Sequence, residues 1–87
     1  MISKTMTVKI ASGLEARPVA LLVQTASQYN SEIHIEVGNK KVNAKSIMGM
    51  MTLGLEAGEE MTVIANGEDE EEAIKNIEEY LSDKKAS

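Results

Sequence analysis

The sequence predicts a small α+β fold, a two-layer open-faced sandwich whose four-stranded antiparallel sheet is covered on one face by three helices. Several short segments alternate apolar and polar residues, which is the period of strands with one buried side. Other segments repeat apolar residues at helical spacing. The predicted order is β-α-β-β-α-β-α, which is typical of a split β-α-β sandwich. With 87 residues and no linker-like stretch, the chain is predicted to form a single domain, 1–87.

The first third of the chain is predicted to form one strand and one helix. Residues 2–10 alternate, with Ile2, Met6, Val8 and Ile10 on the apolar side. Ser12-Gly13 interrupts this pattern. A helix is expected from Ala16 to Gln28, because Pro18 suits a first turn and because apolar residues follow at helical spacing. Those residues are Val19, Leu22, Val23 and Ala26.

The middle of the chain is predicted to form a hairpin followed by a short helix. Residues 32–37 alternate, Gly38-Asn39 is a two-residue turn signal, and Lys40 to Ala44 reads as the return strand. Ser46 can then cap a helix over Ile47–Leu53, because a serine oxygen accepts hydrogen bonds from the free N–H groups of a first turn.

The last third is predicted to form the fourth strand and the last helix. Met61, Val63 and Ala65 mark the buried side of the strand, which Asn66-Gly67 ends. Asp69 is expected to cap the helix that follows. The buried stripe of that helix comprises Ala73, Ile74, Ile77, Tyr80 and Leu81.

Composition argues against several classes of function. The net charge is −5 and aromatic residues make up 2% of the chain, so neither phosphate contacts nor base stacking is favoured. There is no Cys for a disulfide or a thiolate metal site. His34 is the single histidine and falls on the outward side of its strand between Glu32 and Glu36, which is typical of a solvated strand residue, so we assign it no role. We therefore expect no metal and no cofactor. Neither a signal peptide nor a membrane-spanning run is recognisable, and a cytoplasmic location is expected.

The predicted helix at Ile47–Leu53 carries too much apolar surface for a short helix on a sheet. At 100° per residue, its apolar side chains span an arc of about 220°. Either this helix is enclosed on most sides or an apolar patch containing Met residues stays exposed. An exposed patch would suit partner binding, since Met side chains adapt to different surfaces. The pattern alone favours neither alternative.

Two helix starts are candidate sites for phosphate. Ser46 is either a helix cap alone or a cap that is also phosphorylated, and the two roles are compatible because a phosphate is favoured at a helix N-terminus. The segment Gly13–Pro18 offers free N–H groups and Arg17 as an anion site, and it contains no obvious nucleophile.

These two segments together resemble the motifs of the HPr family, the histidine-containing phosphocarriers of the bacterial sugar phosphotransferase system. The active-site motif of the family, Gly-Leu/Ile-His-Ala-Arg-Pro, is matched by Gly13-Leu14-Glu15-Ala16-Arg17-Pro18. The regulatory serine motif is matched by Lys45-Ser46-Ile47-Met48-Gly49-Met50-Met51-Thr52-Leu53. The resemblance extends through residues 23–27 and 42–43. Glu15 stands where the family carries its phosphorylated histidine.

The resemblance implies a regulatory protein and not an enzyme. A branch of the family, the catabolite-repression HPr-like proteins, also lacks the histidine and keeps the serine. By analogy, HPr kinase/phosphorylase would phosphorylate Ser46 with ATP, and the product would bind a CcpA-type repressor in carbon catabolite repression. The resemblance assigns the partner-binding surface to Arg17, Ile47, Met48 and Met51.

Two points stay open after the resemblance is considered. One is an alternative function, in which Glu15 carries phosphate as an acyl phosphate and the chain exchanges it with proteins of the phosphoenolpyruvate-dependent phosphotransferase system. The other is the oligomeric state. The chain is either a monomer or a homodimer that exchanges its first strand, with Ser12-Gly13 as the hinge.

Overall fold

A computed structural model describes residues 1–9, 16–53 and 58–81 of the chain. The element order is the predicted β-α-β-β-α-β-α, and the predicted fold class is confirmed. The elements are β1 (Ile2–Thr7), α1 (Ala16–Ser27), β2 (Glu32–Val37), β3 (Lys40–Asn43), α2 (Ile47–Met51), β4 (Glu60–Asn66) and α3 (Glu70–Leu81).

The four strands form one antiparallel sheet in the order β1-β4-β2-β3. Strand β4 lies in the interior of the sheet, since it pairs with β1 on one side and β2 on the other. Val63 shows this position, because it lies opposite Lys4 of β1 and Ile35 of β2. The β2–β3 pair is the predicted hairpin, and Gly38 in its turn has a φ of 60°, which glycine adopts without strain.

One face of the sheet packs against the helices and the other faces away from them. The inward side chains of β4, and Ile33 and Ile35 of β2, are fully or almost fully buried, and Val37 is partly buried against them. They form one core with the apolar stripes of α1 and α3. All five residues predicted for the stripe of α3 are buried. The opposite face is mostly polar, and there the Thr5 and Thr62 hydroxyl oxygens lie 3.1 Å apart. This alternation is why the sequence period of two predicted the strands.

Several predicted element ends shift by one to a few residues. Strand β1 ends at Thr7, although Val8 is buried and its N–H still donates to Glu59 O at 2.8 Å. Ile10 lies outside the described residues. Helix α1 ends one residue early at Ser27, and β3 ends at Asn43. Helix α2 ends at Met51 and not at Leu53, because Thr52 caps it through a hydroxyl that donates to Gly49 O at 2.6 Å.

The prediction that the Asp69 side chain caps α3 is wrong. Asp69 does precede the helix, and its backbone O accepts the Ala73 N–H. Its carboxylate instead accepts hydrogen bonds from the Asn30 N–H at 2.9 Å and from the N–H and hydroxyl of Ser31. The Ser31 hydroxyl contributes most to lowering the pKa of Asp69, followed by the Asn30 N–H. The carboxylate therefore ties the α1–β2 turn to the β4–α3 turn.

Helix α3 is also connected to β1, and to the residue that precedes it, by two ion pairs. The Met1 amino group lies 3.1 Å from Glu70 Oε1, and Lys4 Nζ lies 2.8 Å from Glu78 Oε2. The Lys4 pair is exposed and should contribute little to stability. No helix in the described ranges is long and apolar enough to cross a membrane.

Candidate functional site: Ser46 and the surface of helix α2

Ser46 occupies the N-cap of α2, as predicted. Its backbone is extended, with φ −105° and ψ 112°, and its Oγ accepts a hydrogen bond from the Gly49 N–H at 3.2 Å. Its carbonyl accepts the Met50 N–H, which begins the helical hydrogen bonds. The side chain is exposed, so the hydroxyl is accessible to a modifying enzyme while it serves as the cap.

Gly49 leaves free space beside the Ser46 hydroxyl. A Cβ at position 49 would lie 3.4 Å from Ser46 Oγ and 3.5 Å from Val42 Cβ. With hydrogen at this position, one side of the oxygen stays open to larger groups.

Two lysines are fixed near the ends of α2. Lys45, next to Ser46, donates from Nζ to the Tyr29 carbonyl at 2.7 Å, just beyond the end of α1. Its backbone N–H donates to Asn43 Oδ1 at 2.8 Å, which holds the turn before the helix. At the other end, Lys40 Nζ lies 3.4 Å from the Thr52 carbonyl. The surface around the short helix therefore carries positive charge on a chain that is acidic overall.

The apolar arc of α2 is partly exposed, which decides between the two alternatives left open by the sequence. Met50 is fully buried and anchors the helix in the core. Ile47, Met48 and Met51 are 44%, 80% and 53% exposed, respectively. We call these three residues the α2 patch. Large apolar side chains grouped at this exposure are typical of a contact surface for a partner.

Part of the predicted site lies outside the described residues. This holds for Glu15 and for the side chain of Arg17, of which only the position in the first turn of α1 is given. The structure thus brings together Ser46 and the α2 patch, and it does not test their contact with Arg17. Within residues 1–9, 16–53 and 58–81, no three His, Cys, Asp or Glu side chains are grouped so as to hold a metal ion.

Sequence reasoning did not find the lysine contacts around α2. The cluster Lys40, Lys41 and Lys45 is visible in the sequence as a local excess of positive charge. Its link to Tyr29 is not, because the two residues are brought together only by the packing of α1 beside α2. The position of Lys45 directly before the predicted capping serine was the one sequence signal that a positive charge lies near Ser46.

The comparisons with known proteins all indicate one family. Residues 2–83 match the model of the PTS-HPr family, described as the PTS HPr component phosphorylation site. The HPr-like protein Crh of Bacillus subtilis (strain 168) is 46% identical over 95% of this chain and 98% of its own length. Crh of Halalkalibacterium halodurans is 48% identical over 93% of this chain and 96% of its own.

Solved structures of this family share the fold over nearly the whole chain. The crystal structure of HPr-C-His from Thermoanaerobacter tengcongensis gives a TM-score of 0.93 at 49% identity, over 100% of this chain and 98% of that one. The crystal structure of selenomethionyl Crh from Bacillus subtilis, described as a dimer with a swapping domain, gives a TM-score of 0.76 at 46% identity, over 95% of each chain.

Proposed function

Because the chain belongs to the HPr family, we propose that it is a regulatory protein of carbon catabolite repression whose switch is phosphorylation of Ser46. HPr kinase/phosphorylase adds the phosphate from ATP, and the modified protein then binds a CcpA-type repressor as corepressor. Its location in this role is the cytoplasm. The protein acts by binding and not as an enzyme.

A single observation carries the proposal: an exposed capping serine stands beside an exposed apolar patch. A phosphate on Ser46 Oγ would lie at the first turn of α2, where free N–H groups and the helix dipole favour negative charge. The modification would therefore leave the fold unchanged and place about two negative charges next to the α2 patch. A partner that contacts both features would distinguish the two states by charge.

Glu15, in the position of the family's phosphorylated histidine, supports regulation over phosphate transfer. A glutamate would form an acyl phosphate in place of the phosphoramidate of a histidine. We propose that Arg17 serves as a partner contact together with Ile47, Met48 and Met51.

The kinase reaction tests the proposal directly. The protein is incubated with HPr kinase and ATP, and its intact mass is measured. We expect one added phosphate on the wild type and on Ser27→Ala, which removes an exposed serine of α1. We expect none on Ser46→Ala. A protein that gains no phosphate, or a Ser46→Ala variant that still gains one, would contradict the proposal.

A second reaction tests the phosphocarrier alternative separately. Incubation with phosphoenolpyruvate and enzyme I of the phosphotransferase system should leave the mass unchanged. A phosphate that hydroxylamine removes would instead indicate an acyl phosphate on Glu15 and a role in phosphate transfer.

A further inference from the structure

The turn between β4 and α3 contains an Asn-Gly pair that the proposed function does not use. Asn66 is the last residue of β4, and its side chain is exposed, as is Gly67. Asn-Gly is the dipeptide in which a backbone nitrogen most readily attacks the preceding side-chain amide, because glycine has no Cβ to hinder the approach. The chain has four other asparagines, and none of them precedes a glycine.

The environment of the attacking nitrogen is unusual. The Gly67 N–H donates to Glu70 Oε1 at 3.1 Å, so a carboxylate contacts the atom that must lose its proton. The same Oε1 lies 3.1 Å from the Met1 amino group, which helps to hold the carboxylate in place. The Gly67 hydrogen bond is the main cause of the lowered pKa of Glu70, so the group is a carboxylate at neutral pH.

We infer that Asn66 is a site of spontaneous deamidation in which the Glu70 carboxylate acts as general base on the Gly67 N–H. The Gly67 nitrogen bonds to Asn66 Cγ as Glu70 takes its proton. The Cγ–Nδ2 bond then breaks, and the amide group leaves as ammonia with that proton. Water opens the resulting succinimide at either carbonyl, which yields aspartate or isoaspartate at position 66.

The products should weaken this end of the sheet. Asn66 lies directly opposite Glu32 in the β2–β4 pair, so a new carboxylate faces a like charge across the strands. Isoaspartate also adds one carbon to the backbone beside Gly67. Gly67 packs closely on Ser31, since a Cβ on it would lie 2.6 Å from Ser31 Cα. The modified chain should therefore unfold at a lower temperature than the unmodified one.

The test follows deamidation site by site during storage of the folded protein at neutral pH. Peptide mass spectrometry should show aspartate and isoaspartate accumulating at position 66 and not at Asn39 or Asn43. Glu70→Gln should slow this about tenfold, which is less than the usual contribution of general-base catalysis because a carboxylate is a weak base. Glu71→Gln, with the same charge change one residue along, should leave the rate unchanged.

Two further arms separate the role of Glu70 from an effect on folding. Glu70→Asp keeps the negative charge, but its side chain is one methylene shorter and holds the carboxylate farther from the Gly67 N–H. This variant should therefore also slow the reaction. In urea, where the Gly67–Glu70 contact is lost, the wild type and Glu70→Gln should react equally fast. Equal rates for these two proteins in the folded state, or modification seen only in urea, would overturn the inference.

Discussion

At the scale of single residues, the buried Ser31 depends on two close neighbours, the Asp69 carboxylate and Gly67. Ser31 is fully buried, although serine is usually exposed, and its hydroxyl donates to Asp69. Gly67 covers it from the other side. A buried hydroxyl needs a partner because an unpaired one costs about 1–3 kcal/mol, so this contact depends on both neighbours.

Gly67→Ala should destabilise the protein by about 1–3 kcal/mol, the usual cost of overpacking. The added Cβ would lie 2.6 Å from the Ser31 Cα, and backbone atoms have no free rotamer by which to move away. Gly49→Ala is the matched control. Its Cβ would make ordinary contacts from 3.4 Å, and alanine favours a helix, so stability should stay equal or rise by up to about 1 kcal/mol. Urea unfolding of both variants measures the difference, and equal losses would refute the Ser31 contact as the cause.

Asp69→Asn should change how stability depends on pH. The folded-state pKa of Asp69 is lowered, chiefly by the Ser31 hydroxyl, so its contribution is complete above the unfolded pKa of about 4. It is lost as the pH falls through the folded pKa. The variant should therefore be less stable than the wild type at neutral pH, and the gap should close in acid. Glu68→Gln, on an exposed neighbour, is the control. Urea titrations from neutral to acid pH measure the difference in unfolding free energy between the wild type and Asp69→Asn. A difference that does not change with pH would contradict the role assigned to the Asp69 carboxylate.

At the scale of elements, α2 combines an anchored side with an exposed one within five residues. Met50 points into the core and the α2 patch points out, so a change on the patch should leave the fold intact. The helix is too short to be stable alone, and its position depends on its caps and on Met50.

Ile47→Ala should weaken binding of the Ser46-phosphorylated protein to a CcpA-type repressor by about tenfold, a typical loss at a contact residue. Leu21→Ala is the matched control, because Leu21 is 43% exposed against 44% for Ile47 and lines a groove toward Tyr80 of α3. Calorimetric titration measures both affinities. If Leu21→Ala lost more affinity for the repressor than Ile47→Ala, the contact surface would have to lie elsewhere than on α2.

The sequence predicted the elements well and their ends less well. Alternation in residues 32–37 and the Gly38-Asn39 turn were sufficient for the hairpin, because both signals are local. The α2 helix was predicted two residues too long, because Leu53 continues its apolar pattern while the hydroxyl of Thr52 ends the helix. The Asp69 contact with Ser31 could not be predicted, since it joins residues 38 positions apart that only the tertiary fold brings together. The exposure of the α2 patch likewise depended on how the helix lies on the sheet.

At the scale of the whole molecule, β1 is joined to the rest of the sheet through its pairing with β4. In the structure β1 pairs with β4 of the same chain through six residue pairs. Selenomethionyl Crh of Bacillus subtilis is described as a dimer with a swapping domain. The same strand pairing could be made within one chain or between two.

The double variant Thr5→Cys/Thr62→Cys should report which pairing forms. The two positions face each other in adjacent antiparallel strands, at a separation that suits a disulfide, and the chain has no other cysteine. After mild oxidation we expect a monomer on a non-reducing gel, with an intrachain bond. A dimer on the non-reducing gel that a reducing agent converts to monomer would show instead that β1 is exchanged between two chains. Thr5→Cys alone controls for random cross-linking.

The strand order also determines when each part of the sheet can form during synthesis. Strands β2 and β3 are neighbours in sequence and can pair as soon as both have emerged from the ribosome. Strand β1 is made first, yet its only partner in the described sheet is β4, at residues 60–66. Its edge therefore stays unpaired until residues 60–66 have emerged from the ribosome, which exposes it to strands of other chains. Because β1 precedes its partner β4 in the chain, β1 is the strand most exposed to pairing with the β4 strand of a second molecule.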